Sequence, residues 1–111
     1  MTLGSLTRRT PHPQTPVVLV AIFHAHPETR DELYHRLLHM VELTVVEPGC
    51  EQYELHTADN DPLQFTFIET WESDEALARH DATTHVQAII ADVARLTSRP
   101  LIVHRLRKVA V

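Results

Sequence analysis

A chain of 111 residues is one domain with a single core, and 43% hydrophobic against 23% charged residues is the make-up of an ordinary soluble globular protein. Its formal charge of −5, with no clustered Lys or Arg, argues against nucleic-acid and anionic-membrane partners, which need a basic patch. Cys50 is alone and cannot form an internal disulfide, and no segment approaches the roughly 20 apolar residues of a membrane span, so a cytoplasmic setting is expected.

The first sixteen residues carry three prolines, no apolar run and no periodicity. Residues 1–15 are read as a disordered tail and 16–111 as the folded domain. Arg8-Arg9 has no hydrophobic stretch behind it, so no secretion signal is expected. Residues 16–26, PVVLVAIFHAH, are rich in β-branched side chains and bounded by prolines, which predicts a strand. Val17, Leu19, Ala21 and Phe23 fall on one face and Val18, Val20 and Ile22 on the other. A strand apolar on both faces is covered on both.

Pro27, the early acids Glu28, Asp31 and Glu32, and Pro48-Gly49 bracket a helix. Leu33, Leu37, Met40, Val41, Thr44 and Val45 make its apolar stripe. Tyr53 and Leu55 then alternate with Gln52, Glu54 and His56, a second strand over 50–56. Residues 58–62, ADNDP, carry turn chemistry, and 63–71 return as the third strand, an antiparallel hairpin. Ser73, followed by Asp74 and Glu75, is a helix N-cap with acids where the dipole favours them. Ala76, Leu77 and His80 begin one stripe; Val86, Ile89, Ile90, Val93 and Leu96 form a second. On a continuous helix His80 and His85 would stand about 140° apart, so either they face different ways or the helix breaks near Thr83-Thr84. A last strand follows Pro100.

The order β-α-β-β-α-β is the ferredoxin-like split pattern: an α+β fold with one antiparallel sheet and both helices on one face. The helices cover only one side, so the other is an exposed apolar patch that predicts a homodimer packed sheet on sheet.

Glu47-Pro48-Gly49-Cys50, Tyr53 on the next strand, Glu69-x-Trp71 at a strand end, Ser73-x-Glu75-Ala76-Leu77 opening a helix, then His80 and His85 form an ordered set. Spread over residues 17 to about 107, it resembles the antibiotic biosynthesis monooxygenase family. The resemblance implies a dimeric α+β barrel with a pocket between sheet and helices in each protomer. It also implies oxygenation of a small aromatic or quinol-type substrate by molecular oxygen, without metal, flavin or haem. That family includes haem-degrading members, whose first-strand Asn is absent here, and isomerases of small phosphorylated signalling sugars, for which Arg30, Arg36 and Arg79 are the nearest phosphate contacts.

Within that frame His85 and His80 are candidate proton acceptors, because an imidazole, with an ordinary pKa of about 6.5, suits removal of a phenolic proton at neutral pH. Glu69 is a candidate orienter of a His or of a substrate hydroxyl; a salt bridge to Arg105 or Arg107 is its structural alternative. Trp71 is either a pocket wall or a core aromatic, and Tyr53 either a pocket donor or a buried phenol bonded to backbone. His24 is a possible substrate contact. His24-x-His26 and His35/His39 have chelating spacings but no third and fourth ligands, so no metal site is expected. A non-catalytic ligand-binding module is the rival reading. An enzyme should keep a water-excluding pocket of about 300 Å³ or more with at least one His projecting into it, whereas the module would fill that space with side chains.

Overall fold

The computed structural model describes residues 15–111. The tail expected over residues 1–15 lies, up to residue 14, outside the described residues. In chain order the elements are β1 (Val17–His24), a 3-10 turn (Pro27–Thr29), α1 (Arg30–Thr44), β2 (Cys50–Ala58), β3 (Asp61–Trp71), α2 (Asp74–Asp81), α3 (Thr84–Leu96) and β4 (Ile102–Leu106). The strands form one antiparallel sheet in the order β2-β3-β1-β4, the ferredoxin-like α+β arrangement. No helix among the described residues is long and apolar enough to cross a membrane.

The hairpin turn is tighter than its composition predicts. Only Asp59-Asn60 lie outside the strands, and the bend is finished by Asp61 Oδ1, which accepts from the Leu63 backbone N–H at 3.0 Å. A register shift between Thr57 and Ala58 absorbs Pro62, which has no N–H to give the ladder.

Of the two arrangements left open between Ser73 and Leu96, the helix breaks near Thr83-Thr84, and one side chain explains the break. Thr83 Oγ1 donates to the His80 carbonyl at 2.7 Å, closing α2, and accepts from the Val86 N–H at 3.3 Å, capping α3. Ser73 caps α2 as expected, its Oγ accepting from the Ala76 N–H at 3.1 Å.

One sheet face carries the core. Val17, Leu19, Ala21 and Phe23 of β1 pack with Phe65, Phe67 and Trp71 of β3 under Leu33, Leu37 and Leu96 of the helices. Each fully buried Leu contributes about 2 kcal/mol relative to exposure. Val45 and Ile90, placed on the apolar stripes by spacing, are instead exposed: Val45 lies past the last turn of α1, and Ile90 is turned to the rim of a cavity. On the other sheet face Val18, Val20, Ile22 and Ile68 are half-buried, and the paired Ile102 and Leu106 are 37% and 45% exposed. No helix among the described residues covers this side.

Register builds the site. Pairing aligns Tyr53, Glu69, Leu19 and Arg105 in one row across all four strands, and Leu55, Phe67, Ala21 and Val103 in the next. Both rows lie on the helix-covered face.

Candidate functional site

Between these rows and the helices lies a cavity of about 350 Å³. Its apolar walls include Phe23, Phe67, Leu77, Val86 and Ile89, and its polar groups are Tyr53, Glu69, His80, Asp81 and Arg105. The volume and the presence of an imidazole meet the expectation for a ligand-holding pocket.

Of the two candidate histidines, His80 is the one that lines the cavity. It sits in the last turn of α2, 4% exposed, with its ring 4.5 Å from the Trp71 indole at 33° and edge-on to Tyr53. Its Nδ1 lies 2.9 Å and 3.2 Å from the two oxygens of Glu47. An ionised carboxylate only accepts, so the proton belongs on Nδ1. Nε2 makes no hydrogen bond to a described residue, which leaves its lone pair for a ligand.

The same carboxylate serves His85, whose Nε2–H donates to Glu47 Oε2 at 2.7 Å. The break at Thr83 brings the two imidazoles within 6.0 Å of each other. His85, however, does not line the cavity. It faces a separate groove of about 420 Å³ between α1 and α3, bordered also by Arg36, His39, Leu43 and Thr84; Met40 and Ile89 separate the two spaces.

Glu69 accepts from the Trp71 indole N–H at 3.0 Å. Its expected cationic partner is engaged elsewhere: the Arg105 guanidinium pairs with Asp74. Buried, and without a cationic partner among the described residues, the Glu69 carboxyl is pushed up to about 7, with the indole N–H opposing and the nearby Asp81 and Glu47 reinforcing the rise. Near neutrality it is both donor and acceptor. Tyr53 is held as the neutral phenol, its pKa raised chiefly by burial and then by Glu69, against a smaller opposing effect of the Thr44 hydroxyl.

Two expected contacts move. Trp71 is fully buried and does not line the cavity; it lies one layer behind, a platform under His80 and a donor to Glu69. His24 falls with Val18, Val20 and Ile22 on the opposite sheet face, where its Nε2 meets Gln64 Oε1 at 3.2 Å, so it reaches no substrate in this cavity. Of the arginines weighed for phosphate, none lines the cavity. Arg36 pairs with Asp92, and Arg30 donates to the Pro62 carbonyl and packs over Tyr34 and Phe65.

Sequence reasoning missed Glu47 as a site residue. It lies in the turn after α1, where Gly49 has φ +84° and a Cβ would stand 2.5 Å from the Ala76 methyl. The Glu72 N–H donates to the Gly49 carbonyl at 2.9 Å, locking this turn against the start of α2. The available signal was the Pro-Gly pair, since a required positive φ fixes whatever precedes it.

Fold and site together define a small α+β protein with a buried histidine over an apolar cavity, and comparison with known proteins gives the family. Residues 16–92 match the family model described as antibiotic biosynthesis monooxygenase, and the chain belongs to that family. It is 32% identical over 89 residues to the Bacillus subtilis protein named "Putative monooxygenase YcnE", spanning 80% of this chain and 94% of that one. It is 33% identical over 90 residues to "Putative monooxygenase Rv0793" of Mycobacterium tuberculosis, spanning 80% and 87%. Among solved structures, that of Rv0793 superposes with a TM-score of 0.81, covering 85% of this chain and 95% of its own. PA3566 of Pseudomonas aeruginosa superposes at 0.82 with 32% identity, covering 90% and 100%.

Proposed function

We propose that the chain is a cofactor-independent monooxygenase that oxidises a small aromatic or quinol-type substrate with molecular oxygen in the 350 Å³ cavity. The observation that carries this reading is His80, whose Nδ1–H is fixed on Glu47 while Nε2 is left free at an apolar cavity. A substrate hydroxyl placed against Nε2 loses its proton there. The resulting phenolate gives one electron to oxygen, and the radical pair joins through a new bond between a ring carbon and oxygen. Cleavage of the O–O bond, with the protons returned, releases water. For a quinol the balance is quinol plus O2 giving hydroxyquinone plus water, with the substrate supplying all four electrons. Apolar walls lower the polarity around the phenolate, and Glu69, able to donate or accept near pH 7, orients the second oxygen.

The site works in a homodimer on this reading. The uncovered face around Val20, Ile22, Ile68 and Ile102 fits a second copy, and the single cysteine fits a reducing cytoplasm. Isomerisation of a phosphorylated sugar has weaker support, because Arg105, the one cation lining the cavity among the described residues, is held by Asp74. A purely ligand-binding module would have no use for a base with its second nitrogen tied down.

The test is turnover of a hydroquinone panel under air and under argon, with chelator present throughout. Oxygen-dependent product that His80→Ala lowers by about 10²–10⁴-fold supports the reading. A loss under about tenfold removes His80 from the base role, and inertness across the panel favours the binding module.

A further inference from the structure

Orienting one base needs one acceptor, yet the Glu47 carboxylate gathers two imidazoles. Oε2 lies 2.9 Å from His80 Nδ1 and 2.7 Å from His85 Nε2, and one ligand atom from each of the three residues falls within 4.8 Å of the others. Thr44 Oγ1 stands 3.4 Å from His85 Nε2 as a further oxygen. The donors come from three segments: the turn after α1, the end of α2 and the start of α3.

We propose that Glu47, His80 and His85 form a binding site for a divalent transition-metal ion of the Zn²⁺ class, entered from the groove between α1 and α3. Two imidazoles and a carboxylate are a donor set that Zn²⁺ accepts with a fourth position left open. Bonds near 2.05 Å in tetrahedral geometry set neighbouring donors about 3.3 Å apart, so the cluster opens by roughly half an ångström. His85 gives the room, being 19% exposed on the groove side while His80 is nearly enclosed. The groove supplies the path by which the ion arrives, and its open position faces Thr44 or water.

Filling the site has a consequence for the cavity. In its neutral form each imidazole holds its proton on the nitrogen facing Glu47, and a metal there moves that proton to the other ring nitrogen. On His80 the other nitrogen is Nε2, so the lone pair at the cavity is lost and proton abstraction stops. The site itself stands apart from the monooxygenase reading; only this effect on turnover rests on it.

The full chain, stripped with chelator, is titrated with CoCl2 and then ZnCl2. One Co²⁺ per chain is expected, with the intense visible absorption of a four- or five-coordinate ion, displaced by Zn²⁺ and accompanied by a rise in Tm. Glu47→Gln and His85→Ala should each weaken binding by at least about a hundredfold, whereas His35→Ala combined with His39→Ala should leave it unchanged. Absence of both the visible band and the Tm rise overturns the site, and so does binding that survives Glu47→Gln and His85→Ala or follows the His35/His39 pair. In the hydroquinone assay without chelator, saturating Zn²⁺ should abolish oxygen-dependent product. Full turnover with the metal bound overturns the blocking effect while leaving the binding result standing.

Discussion

Replacing Glu69 by Gln removes an ionisable group while keeping an oxygen to accept the Trp71 indole N–H at 3.0 Å. In the folded protein burial pushes this carboxyl up to about 7, against a reference of 4.5. A raised folded-state value means that folding favours the protonated acid. The associated stability is therefore full below the unfolded value and is lost as pH rises through about 7. The difference between about 7 and 4.5, at about 1.36 kcal/mol per pH unit, is about 3 kcal/mol. Gln has no proton to lose, so between pH 4 and pH 8 Glu69→Gln should gain about 3 kcal/mol on the parent chain. Urea unfolding followed by fluorescence measures this directly, because the single Trp of the chain touches the mutated group. The Tm gap should widen by about 12 °C over the same range. Parallel stability curves for parent and variant would refute the account of a buried acid without a cation. A parent that gains on the variant as pH rises would show instead that Glu69 is ionised and paired.

Gly49→Ala forces a side chain into φ +84° with its Cβ 2.5 Å from Ala76 Cβ, so the urea midpoint should report a loss of at least about 2 kcal/mol. Thr83→Ala removes both the closure of α2 and the cap of α3; a loss of about 1 kcal/mol is expected in the same assay, and no change would mean the break does not depend on that hydroxyl. A charge on the uncovered sheet face, as in Val20→Glu with Ile68→Glu, should convert a dimer to a monomer in sedimentation; a parent already monomeric at micromolar concentration would sink the dimer. His85→Ala, unlike His80→Ala, should lower metal-free turnover by less than about tenfold, because His85 lies outside the cavity.

Strand alternation and helix caps were legible because they are local. Alternation set Tyr53 and Leu55 opposite Gln52, Glu54 and His56, and Ser73 announced its helix through a hydroxyl that bonds three residues on. Depth was not local. Alternation put Trp71 on the same face as Glu69, but the end of the sheet there is roofed by α2, so of the two readings of the ring, cavity wall and core aromatic, packing decided for the core, and the indole is the layer behind His80. His24 shows the converse error: it lies at the end of the correct strand but on the wrong parity, and position along a strand says nothing about a cavity on the other face.

Glu47 is the residue that sequence could least reveal, and the reason bears on how the site is built. In the chain it is an acid leaving a helix, one of fifteen acidic residues, and its partners lie 33 and 38 positions away. Two local features bring them together. Gly49 seats the turn against Ala76, which fixes the carboxylate beside α2, and the Thr83 hydroxyl breaks the helix so that His85 swings round to the same oxygen. Each feature was visible as a turn or a cap, but neither indicated a partner, because contact between distant segments is decided by packing. The coupling also constrains change. Displacing the turn at Gly49 or removing the break at Thr83 would separate the carboxylate from one imidazole each, with unequal results: Gly49 variants that release His80 should lose base orientation and metal binding together, whereas Thr83 variants that release His85 should lose metal binding alone.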